Sequence, residues 1–341
     1  MIIIRPITHD DYDALYRIAV ESGHGFTSLP VNETLLKKRI SHAEHSFNRT
    51  VTEAGNEGYL FVMEDTETGE VVGTSGIEAA VGLEDAFYHY HLGKAVHSSR
   101  ELNIYNTVET LSLCNDYTGA SEICTLFLGE SHRKDNNGRF LSRCRFLFMA
   151  EHTERFSETV IAEMRGVSDE DGASPFWKWL EEHFFSLDFP TADYLTGIGN
   201  KAFIAELMPK HPIYVSLLSA EAQKVINKVH PKTVPAIRLL EAEGFCRRGY
   251  VDIFDGGPTV EAQTAQVKTV RQSQKCQVLI SDVSPEQSNN NYIICNNKVA
   301  DFRAVQTSVL LRETAQQVVL SQAVADALMV KEGDWVRLVA N

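Results

Sequence analysis

The segment Glu122–Ala150, EICTLFLGESHRKDNNGRFLSRCRFLFMA, constrains the fold more than any other part of the chain. It opens on a short apolar run bounded by polar residues, the pattern of a buried strand. A strongly polar stretch with adjacent Arg133 and Lys134 follows. Beyond Gly138, the apolar positions Phe140, Leu141, Cys144, Leu147 and Phe148 recur at helical spacing and mark one face of an amphipathic helix. That helix is expected to start at Asn137 or Gly138. Its first N–H groups lack partners within the helix and point into the loop, a backbone cradle for phosphate. Gly138 lets a ligand approach the backbone closely. Between Glu130 and Arg145, five Arg and Lys side chains face two carboxylates, a local charge of +3 in a chain of net charge −14. Arg133 and Arg139 are suited to neutralise a pyrophosphate. A solvated surface loop ahead of a capped helix is the competing reading of the same residues.

The flanking sequence reads as a mixed α/β chain. IIIRP is a strand, and DDYDALYRIAVESG is a helix capped by Asp10 or Asp11 and ended by Gly23. After the loop HGFTSLP, Asn32 is placed to cap a second helix. GYLFVMED and EVVGTSGIEAAVG pair across TETG as a hairpin. YNTVETLSLC and ETVIAEMRG are further strands, and Ser174 caps a helix with Pro175 at its first position. Helices are expected near 202–208, 219–230 and 233–243. After about residue 262 the chain turns polar, and from about 275 short strands with turn signals predominate, which suggests a small β-barrel. The division expected is 1–190, 191–265 carrying the rest of the α/β core, and 266–341 as a separate β-rich unit.

With 43% hydrophobic and 23% charged residues the composition is that of a globular protein, and 341 residues suffice for a sizeable core. The acidic balance disfavours a general nucleic-acid or anionic-membrane role. No apolar run of about 18 residues marks a membrane span, and MIIIRPITHDD lacks the regions of a signal peptide. Six scattered cysteines without C-x-x-C read as free thiols in a reducing compartment, so a cytoplasmic protein is expected. The histidines show no metal-ligand spacing, and no metal site is expected. His89 and His91 in YHYH share a strand face and are expected on a half-exposed aromatic strand rather than as ligands.

The pattern Arg133-x-x-Asn136-x-Gly138 resembles the acyl-CoA-binding signature of the GNAT N-acyltransferases, with Asn136 where that family usually has Gly. Asn tolerates left-handed backbone better than most residues, so the exchange is mild. The order of elements through residue 185 also resembles that superfamily, with extra material near 83–115. The resemblance implies a GNAT-like α/β (α+β) fold, a mixed, mostly antiparallel sheet flanked by helices. It also implies that the cofactor's pantetheine runs along the strand Cys124–Leu128, with Leu126, Arg133 and Gly138 as cofactor-binding positions. Core packing is the other role open to the Leu126 side chain.

Longer strings are more specific. TSLP at 27–30, EICTLFL, AEMRGV, SPFW, KAFIAELMPKHPIY, VHP at 229–231 and DIFDGGPT together resemble the arginine N-succinyltransferases over nearly the whole chain, least after about residue 270. The resemblance implies transfer of succinyl from succinyl-CoA to the α-amine of L-arginine, the first step of arginine catabolism by the succinyltransferase route. It implies succinyl-CoA as cosubstrate, no tightly bound cofactor, and a homo-oligomer or an assembly of two similar chains. An acyltransferase acting on ornithine or another amine is one alternative. A non-catalytic subunit that binds CoA or an amino acid is another.

Direct transfer requires a deprotonated amine, a polarised thioester carbonyl and a proton for the departing thiolate. It requires no enzyme nucleophile. The resemblance assigns the proton donor to the His of V-H-P, here His230. The residues alone read first as a histidine at a helix C-terminus, favoured by the macrodipole, and it is the resemblance that turns the reading toward catalysis. His211 in PKHPIY is the rival and His24 a weaker one. Glu163 and Glu206 stand in matching motifs as unassigned candidates for the guanidinium, and HGFTSLP as a candidate lid.

Overall fold

The computed structural model describes residues 1–23, 28–169, 172–281 and 291–341. The chain opens with β1 (Ile2–Pro6), α1 (Tyr12–Ser22) and α2 (Glu33–Asn48). Asn32 caps α2, accepting from the Leu35 N–H at 3.1 Å. β2 (Gly58–Asp65) and β3 (Glu70–Glu78) form one hairpin, and β4 (His89–Ser99) and β5 (Ile104–Cys114) a second, longer one. β6 (Ser121–Leu128) leads into α3 (Asn137–Glu151), followed by β7 (Thr159–Glu163) and α4 (Pro175–Leu180). This is the expected order, with β4–β5 as the extra material. α5 (Phe189–Gly197), α6 (Ala202–Leu207), β8 (Ile213–Tyr214), α7 (Ala220–Val225) and α8 (Val234–Glu243) precede β9 (Cys246–Val251) and β10 (Pro258–Gln263).

The sheet runs β1-β2-β3-β6-β7-β10-β9-β4-β5-β8 and is antiparallel except between β6 and β7. Those two strands pair only at Ser121–Val160 and Glu122–Ile161, then part. The parting coincides with a bulge. Thr125 has a φ of 56°, and the β3–β6 register slips between Thr74 and Gly76. A bulge increases local twist and turns the strand away from its neighbour. One core lies beneath α1, α2 and α3 around Phe61, Phe148 and Phe302. A second joins the inner ends of β4 and β5 to α4 through Tyr90, Leu111, Phe176 and Trp177.

The expected face of α3 is buried in full, but so are Arg143 and Arg145, each 2% exposed. They are structural, so the +3 assigned to the loop falls to +1. Arg143 donates to the Thr269 hydroxyl and the Ala340 carbonyl, both at 2.8 Å, and pairs with Glu243 at 3.1 Å.

The C-terminal strands, expected as a small β-barrel-like unit, continue the main sheet. α9 (Lys268–Gln272) is tied to the main body, its Thr269 N–H donating to Glu243 at 2.7 Å. Then come β11 (Gln274–Ile280), β12 (Asn291–Asn296), β13 (Ala304–Ser308), β14 (Leu310–Arg312), β15 (Gln317–Leu320), α10 (Gln322–Ala327) and β16 (Trp335–Ala340). Their order is β14-β15-β11-β16-β12-β13, and β13 pairs onward with β1 at Ile3–Val305 and Ile4–Ala304. Among the described residues, no pairing closes these strands into a ring. β1 would otherwise be a bare edge, which proteins tend to cover. The strands keep an apolar core of their own around Val278, Ile294, Val318 and Leu338.

Candidate active site

Where β6 and β7 part, a cavity of about 300 Å³ opens, lined by Thr125, Leu126, Arg145, Met164, Lys232 and Thr233 among others. Beyond Glu122, the edge of β6 has no strand partner on this side among the described residues, which leaves backbone groups available to an extended ligand. Arg145 secures one of them, donating to the Cys124 carbonyl at 3.3 Å. Leu126 lines the wedge and also packs against the main core. The Cys124 thiol on the same wall is pushed up to about 12, chiefly by burial and then by the Glu78 carboxylate.

β6 feeds the loop that precedes α3. Asp135 and Asn136 both take left-handed φ, 52° and 61°, and α3 starts at Asn137. The Arg133 Nε donates to the Leu128 carbonyl at 2.9 Å, which folds the loop back on the strand end. The Asn137 and Phe140 N–H groups reach the Lys134 and Asn136 carbonyls. Among the described residues, no acceptor takes the Gly138 or Arg139 N–H. A Cβ at Gly138 would meet nothing nearer than Leu128 Cδ2 at 3.9 Å. The first turn of α3 is therefore an open anion cradle by geometry, although its net charge is modest.

Three motif strings that are far apart in sequence meet at the other side of the wedge. The His230 N–H donates to the Arg165 carbonyl at 2.8 Å, and Val229 bridges Gly166. The Asp255 carboxylate accepts from the Gly166 and Gly257 N–H groups at 2.6 and 2.8 Å. The Asn227 N–H reaches the Gly256 carbonyl at 2.8 Å. A Cβ on Gly257 would stand 2.2 Å from the Met164 carbonyl oxygen, so no other residue fits there.

His230 does not end a helix. α7 stops at Val225, Asn227 takes a φ of 60°, and His230 instead caps the turn Pro231–Thr233 that leads into α8. Its Nδ1 accepts from the Lys232 N–H at 3.1 Å, which leaves the hydrogen of the neutral ring on Nε2. Burial, then the Arg165 and Lys232 charges, lower its pKa. His230 is not itself among the residues lining the wedge; Lys232 and Thr233, just after it, are. His211 and Glu206 are exposed. His24 and the lid residues 24–27 lie outside the described residues.

A second cavity of about 260 Å³ shares Ser28, Glu122, Cys124, Glu163, Asp252 and Phe254 with the first. Glu78, Arg39 and Lys201 complete its charged lining. Of these, only Glu163 was singled out by sequence reasoning. Glu122 carried a faint signal, a lone carboxylate inside an otherwise apolar strand. His89 is fully buried rather than half exposed.

Residues 2–269 match the family model described as arginine N-succinyltransferase beta subunit, and residues 274–340 match that of its C-terminal domain. The arginine N-succinyltransferase of Yersinia enterocolitica is 48% identical over 340 residues, covering 100% of this chain and 98% of that relative. That of Salmonella paratyphi B is 50% identical over 344 residues, covering 99% and 97%. Among solved structures, subunit AI of the arginine/ornithine succinyltransferase from Pseudomonas aeruginosa matches with a TM-score of 0.91 at 38% identity, covering 100% and 98%.

Proposed function

Because the chain belongs to the arginine N-succinyltransferase family, we propose that it is an acyltransferase that moves the succinyl group of succinyl-CoA to the α-amine of L-arginine. The observation that carries this reading is full-length likeness to enzymes of that name together with the wedge between β6 and β7. Succinyl-CoA would lie with its pantetheine along Cys124–Leu128 and its pyrophosphate at the Gly138 and Arg139 N–H groups, with Arg133 beside them. The α-ammonium of arginine first gives one proton to solvent. The free amine attacks the thioester carbon, the C–N bond forms, and the carbonyl oxygen becomes an oxyanion. Collapse breaks the C–S bond. The nitrogen loses its remaining surplus proton to solvent and the sulfur gains one; that delivery is assigned to His230, which takes a proton from solvent for the step and returns to its neutral ring on giving it up. The products are N2-succinylarginine, the free thiol of CoA and one proton.

A cytoplasmic location belongs to the same proposal. The six cysteines are free, and among the described residues no helix is long and apolar enough to cross a membrane. So does assembly into a homo-oligomer or with a similar chain, since the family and one solved relative are named as subunits. The test follows free-thiol release from succinyl-CoA and acetyl-CoA with arginine, ornithine and lysine. Succinyl-CoA with arginine should turn over fastest. Equal use of acetyl-CoA, or preference for another amine, would overturn the assignment.

A further inference from the structure

Three neighbouring strands turn carboxylates to one face of the sheet. Glu78 of β3 lies directly opposite Glu122 of β6. Glu122 lies beside Ile161 of β7, and Glu163 follows two residues on, on the same face. Carboxylates facing each other across strands repel. Arg39 relieves Glu78, with its Nη2 at 3.1 Å. Asp252, on the same wall, accepts from the Phe254 and Asp255 N–H groups at 2.7 and 2.8 Å. Glu122 and Glu163 have no such relief: among the described residues, neither pairs with an Arg or a Lys. Lys201 lines the cavity and acts on both only through its field, as Arg39 does on Glu122.

The group nearest Glu163 is His89, fully buried between the rings of Phe87 and Tyr117. Its Nε2 stands 2.9 Å from Glu163 Oε1, yet neither ring nitrogen has a well-directed hydrogen bond. Burial lowers the His89 pKa to about 4, so this ring is neutral and brings no charge to the carboxylate. Burial and then Asp252 push Glu163 up to about 8. Burial, then Glu163 and Glu78, push Glu122 well above the usual range. Uncompensated buried carboxylates cost a protein stability, and a bound cation offsets that cost. Among the described residues, no acidic side chains are grouped to hold a metal ion. A planar cation with five N–H donors suits two carboxylates on adjacent strands. Their wall is shared with the wedge, so an amino acid with its side chain here would direct its α-amine toward Leu126.

We propose that Glu122 and Glu163 form the receptor for the guanidinium of the acceptor, with His89 positioning Glu163. This rests on the arginine-succinylating reading above. The test compares arginine with citrulline, whose ureido group has the same shape without the charge, at saturating succinyl-CoA. Wild type should favour arginine strongly. Glu122→Gln and Glu163→Gln should each raise the arginine KM by about tenfold or more, the size expected for a charge-assisted contact. They should narrow the arginine-over-citrulline ratio and leave the succinyl-CoA KM unchanged. His89→Gln should raise the arginine KM and leave kcat at saturating arginine near wild type. Variants that are folded by circular dichroism and keep the full arginine preference would overturn the receptor alone. So would variants whose loss lies in kcat with a displaced pH–rate profile, since the carboxylates would then handle the amine proton. A wild type inert toward arginine would overturn the functional reading itself.

Discussion

Gly138 has ordinary helical backbone and open space where a Cβ would go, so its lack of a side chain serves nothing inside the protein. Alanine is the better helix former by up to about 1 kcal/mol. Gly138→Ala should therefore keep or raise the melting temperature while weakening succinyl-CoA binding by calorimetry. Wild-type affinity in that variant would move the phosphate cradle elsewhere. Arg133→Ala should also weaken binding, and loses its bond to the Leu128 carbonyl, about 1 kcal/mol of stability. Glu163 gives a pH signature. A carboxyl raised to about 8 in the folded state is stabilising when protonated, and that stability is lost as pH rises from the ordinary carboxylate range through about 8. Glu163→Gln should thus be more stable than wild type at pH 8, with the difference shrinking toward pH 5 in thermal melts. At this scale the loop Arg133–Gly138 was legible because it is local. Glu163 stood as a candidate from its motif, but its grouping with Glu122 and His89 was hidden, because three strands distant in sequence bring them together.

The start of α3 was readable from its apolar spacing and from Gly138. The end of α7 was misread because Val225, Ile226 and Val229 prolong a helical pattern that Asn227 breaks by taking left-handed backbone. The join between β7, the His230 segment and the turn after β9 was invisible in sequence, where it appears as three unrelated strings. Its backbone atoms leave no room for a side chain at Gly257. Gly257→Ala should lower the melting temperature markedly. Activity per folded molecule should fall with it, since the same join holds His230 against the Arg165 carbonyl. A variant with wild-type melting and turnover would show that this turn does not position His230.

For the whole molecule, the change in composition after residue 262 correctly announced a β-rich segment with its own core but concealed its attachment. Two pairings to β1 and the Arg143–Ala340 contact depend on pairing that no local pattern reveals. We still propose a division near residue 266, in the sense of a separate core rather than a separate body. Removal of residues 274–341 should leave β1 as a bare edge and the buried Arg143 short of an acceptor, so the fragment should aggregate in size-exclusion chromatography. A monodisperse, folded fragment would indicate a truly independent unit.

The central proposal is that succinyl transfer takes place in the wedge that Lys232 and Thr233, just after His230, help to line. It is tested most directly by kcat for His230→Gln with arginine and succinyl-CoA, measured beside its melting temperature and succinyl-CoA affinity. A general acid contributes about a hundredfold or more. The account predicts a kcat lower by that factor, with cofactor affinity near wild type, because the proposed cofactor site is the Arg133–Gly138 loop and not His230. Near-normal turnover in a well-folded His230→Gln protein would contradict it.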